Sequence, residues 1–238
     1  MSGFLGAAFL AVAVILHIDH LAYRIGRSAV VLIIASAVVA ACRSVPFLIK
    51  PDATNQSGWF NFAQALWCTA FVALGLGLAS IAIHKEKQIE RGLIQVADVG
   101  ATDPADVTVH ASFSSLISAS AGAILYAVGV AQQIGSPAVT REAWVFKVLG
   151  MILIAVGIIS HVEHLSRHIG TGAVTFATMG TVLAAISRLP YAVDPSTTTS
   201  SGWGHAAGYG TGAGWLCGAI AVGLVILRKR SIEAESAA

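Results

Sequence analysis

Two copies of one short phrase contain the residues of this chain that are best suited to chemistry. The first copy is His-Ile-Asp-His at residues 17–20, and the second is His-Val-Glu-His at residues 161–164, which is 144 positions later. Both copies lie in segments apolar enough to cross a membrane, where histidine and carboxylate side chains are costly and usually present for function. The repetition therefore indicates a duplicated ionisable site.

Helical spacing places the histidines of each copy on one face. Successive residues of an α-helix are about 100° apart, so the two histidines of a copy share a face with the residue four positions beyond the second. That residue is Arg24 in the first copy and His168 in the second. The resulting i, i+4 pair of histidines, His164 and His168, is well suited to a metal ion.

These patterns predict a set of ligands and a set of supporting residues. The predicted cofactor ligands are His17, His20, His161 and His164, supplemented by His168, His84 or His110. The acidic residue of each copy projects about 100° away from the neighbouring histidine, so we expect it to accept a hydrogen bond from an imidazole or to pair with an arginine. The predicted supporting residues are Asp19, Glu163, Arg24 and Arg167.

Several functions fit such a site. A non-haem centre of iron, copper or zinc would take ligands from facing helices, whereas haem b would take one axial histidine from each copy. A carrier would use the same residues to bind metal ions or exchange protons, and a structural subunit would need no cofactor. The imidazoles outnumber the two axial positions of a haem, which favours a metal centre. We therefore expect a redox enzyme or redox subunit acting on a lipid-soluble substrate.

The composition places this site in a membrane protein. Of the 238 residues, 56% are hydrophobic and 11% are charged, and the mean hydropathy is +0.77, outside the usual range of soluble domains. Helices of about 20 apolar residues cross a bilayer. Seven such stretches are predicted, at residues 4–23, 28–48, 59–84, 110–132, 143–164, 172–189 and 204–227.

The shift of 144 residues extends beyond the histidine phrase. Ser-Gly-Trp at residues 57–59 recurs at residues 201–203, and Pro46 and Pro51 recur as Pro190 and Pro195. We therefore predict an all-α integral membrane protein with seven transmembrane helices in a parallel 3+1+3 repeat. The single domain, residues 1–238, would comprise repeat 1 at about 1–91, a linker helix at about 107–134 and repeat 2 at about 142–230.

The basic residues predict the orientation. Nine of them fall on one side of the predicted spans, and five on the other, namely Arg43, Lys50, Arg141, Lys147 and Arg188. The positive-inside rule then places the N-terminus outside and the C-terminus in the cytoplasm, and the composition is typical of a prokaryotic plasma membrane. The expected partners are the lipid bilayer and other membrane subunits or further copies of the chain. No basic face with interleaved aromatic residues indicates nucleic acid.

Two arginines at the ends of spans are predicted to be topology anchors rather than ligands. Arg43 and Arg188 each precede a proline by two or three residues. We expect them to anchor the topology by extending toward the membrane surface or by pairing with Asp52 and Asp194.

Overall fold

The structure, a computed structural model, describes residues 25–50, 57–90, 113–136, 139–160, 162, 166, 169–198 and 200–236. Regular structure in these residues is helical throughout, with no strand among them. Eight helices are described in these residues: α1 (Arg27–Cys42), α2 (Val45–Ile49), α3 (Gly58–Glu90), α4 (Phe113–Ala131), α5 (Arg141–Ile159), α6 (Thr171–Ile186), α7 (Leu189–Val193) and α8 (Gly202–Ser236).

The helices form six segments that are long and apolar enough to cross a membrane. The short helices α2 and α7 continue the spans of α1 and α6, so the segments are Arg27–Ile49, Gly58–Gln88, Phe113–Ala131, Arg141–Ile159, Thr171–Val193 and Gly202–Arg228. These segments correspond to six of the seven predicted spans and support an integral membrane protein. The remaining span, at residues 4–23, lies outside the described residues, so the seventh crossing stays a prediction.

The helix boundaries agree with the register of the predicted repeat. Helices α1 and α6 begin at residues 27 and 171 and end at residues 42 and 186, and both differences are 144. The same difference separates the bounds of α2 and α7 and the first residues of α3 and α8. Helix α4 lies within the predicted linker. The complete 3+1+3 plan includes residues 4–23 and therefore stays a prediction.

Prolines divide two of the spans at equivalent places. Pro46 lies in the first turn of α2 and Pro190 in the first turn of α7. Proline has no N–H to donate and clashes with the preceding turn, so a helix ends shortly before it. The turns between the paired helices consist of Arg43 and Ser44 in one half and Ser187 and Arg188 in the other.

Glycines allow neighbouring helices to touch through their backbones. A Cβ atom added at Gly122 of α4 would lie 2.5 Å from the carbonyl oxygen of Gly150 of α5, and one added at Gly180 of α6 would lie 2.8 Å from that of Gly214 of α8. Serines reinforce the first contact, because the hydroxyl of Ser115 donates to the Gly157 carbonyl at 2.7 Å. Small residues and interhelical hydrogen bonds are the usual basis of helix packing in lipid.

The contacts arrange the long helices in series. Helix α1 packs on α3, α3 on α4, α4 on α5, α5 on α6 and α6 on α8. Helix α4 therefore stands between the pair α1 and α3 and the helices of the second half. This position lets α4 contribute side chains to sites formed with both halves.

The fifth span is shorter than predicted. The sequence pattern extended it to residue 164, but α5 ends at Ile159 and Ser160 forms a turn. The Ser160 hydroxyl donates to the Gly157 carbonyl at 3.2 Å, which satisfies one of the carbonyl groups that the end of a helix leaves without an intrahelical partner. Of the second histidine phrase, residues 161, 163 and 164 lie outside the described residues.

Candidate functional site

Most of the predicted ligands and all of the predicted supporting residues lie outside the described residues. These are His17, His20, Asp19, Arg24, His110, His161, Glu163, His164, Arg167 and His168. Of the predicted set, the structure describes His84, near the end of α3. Within the described ranges no group of three or more His, Cys, Asp or Glu side chains comes together. The predicted ligand set and its supporting residues therefore stay predictions.

His84 lies against the glycine that precedes α1. Gly26 has a φ of +89°, and an added Cβ atom there would lie 3.1 Å from Cγ of His84. The side-chain nitrogen of Gln88 lies 3.0 Å from Nε2 of the same ring. We call His84 and Gly26 the histidine corner. In the sequence, Gly26 follows the first histidine phrase by six residues, so His84 is fixed beside the chain that leads out of that phrase.

The second half has an equivalent corner with a different side chain. Gly170 precedes α6 with a φ of +91°, and an added Cβ atom there would lie 3.1 Å from Nη1 of Arg228. Residue 228 is the counterpart of residue 84 at the shift of 144. Histidine in the first half thus corresponds to arginine in the second. At residues 24 and 168 the order is reversed, because Arg24 of the first half corresponds to His168 of the second. Each half thus has one histidine and one arginine, in exchanged places.

A second group of ionisable side chains lies at the opposite end of α1. Lys147 of α5 is only 5% exposed. Its Nζ donates to Oε1 of Gln133 at 2.6 Å and lies 4.5 Å from the ring centroid of Trp144. That indole stacks in turn on Tyr191 of α7, with ring centroids 4.7 Å apart.

Two arginines accompany this lysine. The guanidinium of Arg43 lies 4.6 Å from the ring centroid of Trp67. Arg188 donates from Nη2 to the hydroxyl of Tyr126 at 3.0 Å and from Nη1 to the Ala184 carbonyl. We call Arg43, Lys147 and Arg188 the cation cluster. Ring contacts link the three side chains. Trp144 and Tyr191 connect Lys147 to α7, which begins next to Arg188, and the rings from Tyr126 to Trp67 connect Arg188 to Arg43.

Aromatic rings connect the two arginines. The rings of Trp67 and Phe71 on α3 meet edge to face with centroids 4.9 Å apart, and Phe71 packs on Tyr126 of α4 at 4.2 Å. Tyr126 is 3% exposed. The hydroxyl of this buried tyrosine is thus positioned for Arg188 by packing between α3 and α4.

The structure corrects the interpretation of Arg188, whereas the pairing of Arg43 with Asp52 stays a prediction. Within the described residues, no carboxylate forms an ion pair with any member of the cation cluster. Arg188 turns inward to Tyr126, whereas Asp194 accepts hydrogen bonds from the Ser196 hydroxyl at 2.6 Å and the Ser196 amide at 2.9 Å. These two bonds hold the pKa of the Asp194 carboxyl below its usual value. Asp52 lies outside the described residues.

Two buried donors in this region have no hydrogen-bond partner among the described residues. They are Nε of Arg43 and Nε2 of Gln133. The orientation of the Gln133 amide follows from its neighbour, because an ammonium group only donates and must therefore face the amide oxygen. Buried polar groups normally have partners. Each of these two N–H groups could therefore donate to a further acceptor.

Sequence reasoning missed this cluster. The sequence pattern assigned Lys147 only to the five basic residues that indicate the orientation, although apolar residues surround it in the span. The available signal was the depth of Lys147 in the span, because it lies six residues beyond Arg141, where α5 begins. A cation that deep in a span usually serves a function.

An apolar cleft lies between α5 and α6 beside the cluster. Its volume is about 130 Å³, and its lining is Val148, Ile152, Ala155, Val182, Ala185, Ile186 and Leu189. These side chains contain no polar atom. The cleft therefore offers hydrophobic contact and no reactive group.

Comparison with known proteins found no match to a protein family, a curated protein or a solved structure. Function must therefore be argued from the residues themselves.

Proposed function

We propose that the chain is an integral membrane metalloprotein whose two histidine phrases supply the ligands of one transition-metal centre, and that it acts as a redox enzyme or redox subunit on a lipid-soluble substrate. The duplication of the phrase at a shift of 144 residues carries this proposal. Chance does not favour two copies of paired histidines in apolar segments, where ionisable side chains are costly.

The histidine corner supports the same proposal. Its contact with Gly26 brings a third imidazole beside the chain that leads out of the first phrase. In the second half, the counterpart of His84 is Arg228, which cannot bind the metal as an imidazole does. We propose that His168 is the third ligand from that half. The full ligand set proposed is His17, His20, His161, His164, His84 and His168, with His110 as a further candidate.

The architecture proposed with this function is seven spans in a parallel 3+1+3 repeat. The matching bounds of α1 with α6 and of α2 with α7 support it. A parallel repeat has an axis along the membrane normal, so equivalent ends of the two halves lie at the same depth. Ligands from both copies can then meet at one centre.

Metal analysis together with a visible absorption spectrum of the purified protein tests the proposal. We expect iron or copper in stoichiometric amount, because zinc has no redox chemistry. Changing His17, His20, His161 and His164 to alanine should remove the metal. His205→Ala is the control, since His205 is exposed at the start of α8. We expect that variant to retain the metal.

The outcomes separate the alternatives. A Soret band lost in the fourfold variant would identify haem b, and an electron-transfer subunit would replace the non-haem centre. Protein purified without metal or haem would contradict the proposal. In that case metal-dependent or pH-dependent flux in liposomes would indicate a carrier, and a fourfold variant that folds normally and supports its partners would indicate a structural subunit.

A further inference from the structure

We propose that the cation cluster is the binding site for a phosphate group, free or as the headgroup of an anionic lipid. The site is separate from the histidine corner, because it lies at the other end of α1. Its three cations come from three different segments, with Arg43 following α1, Lys147 on α5 and Arg188 preceding α7. No step of the metal proposal depends on it.

A phosphate group would balance the positive charge of the cluster. Like charges repel, and this repulsion is stronger in a protein interior than in water. Burying a charge is costly unless it is paired. With no carboxylate paired to the cluster in the described residues, a phosphate would offset the repulsion, since it has up to two negative charges.

The free donors fit the same ligand. Among the described residues, Nε of Arg43 and Nε2 of Gln133 are buried without partners, and Lys147 has three donors, of which Gln133 receives one. A phosphate oxygen accepts from all of these groups, and arginine recognises phosphate through paired N–H groups. A neutral ligand would satisfy the donors but leave the charges unbalanced.

The two halves of the repeat differ at this site. The counterparts of Arg43 and Trp67 are Ser187 and Thr211. These two residues also touch, because the Thr211 hydroxyl donates to the Ser187 hydroxyl at 3.0 Å. The first half thus has a cation on an indole ring where the second half has a pair of hydroxyl groups. At this place in the second half the positive charge belongs instead to Arg188, whose Nη1 donates to the Ser187 hydroxyl at 3.4 Å.

Titration of the protein in an uncharged maltoside detergent tests the proposal. The ligand is sodium phosphate in one arm and phosphatidylglycerol in the other, with sodium chloride at equal ionic strength as the reference. Tryptophan fluorescence reports binding, because Trp67 and Trp144 contact two of the cations. We expect saturable binding that raises the melting temperature.

Substitutions in the cluster identify the site. Arg43→Gln and Lys147→Met should each weaken binding at least about tenfold, which corresponds to about 1.4 kcal/mol. Arg43→Lys, which keeps the charge, should retain more of the affinity than Arg43→Gln. Arg141→Gln is the matched control, because this exposed cation contacts the Ala192 carbonyl outside the cluster. It should bind as the unmodified protein does.

The sign of the stability change provides a second measurement. Without the anion, Lys147→Met removes a repelling charge and should leave the melting temperature unchanged or higher. With the anion, the same variant should gain less stability than the unmodified protein. Binding of phosphate alone would identify a soluble ligand, and binding of phosphatidylglycerol alone a lipid. Failure of both ligands to bind, or equal binding by Arg43→Gln and Lys147→Met, would overturn the proposal.

Discussion

At the scale of the residue, Tyr126 joins the aromatic contacts of α3 to a cation from the second half. Its ring packs on Phe71 while its hydroxyl accepts from Arg188. The sequence pattern did not predict the contact between this tyrosine and this arginine. An arginine at the end of a span extends to the surface or turns inward according to the partners it finds, and here the partner comes from a helix 62 residues away in the chain.

Removing one oxygen atom tests that contact. Tyr126→Phe keeps the ring and deletes the acceptor, so we expect a loss of about 1 kcal/mol in the free energy of unfolding. Tyr191→Phe is the control, because its ring stacks on Trp144 and no hydrogen bond to its hydroxyl is described. Unfolding monitored by circular dichroism in a single detergent compares the two variants. Equal stability of both would show that the Arg188 contact contributes nothing measurable.

At the scale of the element, the sequence predicted the positions of helices well and their interruptions poorly. The apolar lengths of the spans and the prolines at 46 and 190 were visible in the chain. The end of α5 at Ile159 was missed, because the predicted span was extended to residue 164 through Ser-His-Val-Glu-His, in which only the valine is apolar. The apolar run itself ends at Ile159, and the Ser160 hydroxyl that follows donates to the Gly157 carbonyl.

The two glycine corners allow a test of an element boundary. The backbone at Gly26, with φ +89° and ψ 142°, lies near a region that is almost restricted to glycine and costs other residues about 1 to 3 kcal/mol. We expect Gly26→Ala to destabilise the protein by that backbone strain and by its contact with His84. In a His84→Ala background the contact is relieved, so the cost should fall while the strain remains.

Double-mutant cycles measure these two contributions. Gly170→Ala and Arg228→Ala form the equivalent cycle in the second half, where the contact is with a longer and more flexible side chain. The coupling energy should therefore be smaller in the second half than in the first. Absence of coupling at Gly26 would contradict the close packing of His84 on that glycine.

At the scale of the whole molecule, ionisable groups occupy both ends of an apolar bundle. The histidine corner precedes α1 and Arg43 follows it, and a helix of 16 residues separates them by about 24 Å. This distance is most of the hydrocarbon thickness of a bilayer. A histidine layer near one surface and a cationic site near the other would expose the two sites to different compartments.

The number of crossings determines which compartments these are. Six crossings by the described segments would bring residues 26 and 228 to the same side, because an even number of crossings returns the chain to its starting side. The predicted span at residues 4–23 would add one crossing and place the two termini on opposite sides.

Reporter fusions at residues 1 and 238, one active only in the cytoplasm and one only outside, distinguish the two topologies. We expect an external N-terminus and a cytoplasmic C-terminus, as the nine basic residues against five indicate. Both termini in the cytoplasm would show that residues 4–23 do not cross, and the first histidine phrase would then lie outside the apolar interior that makes its duplication informative.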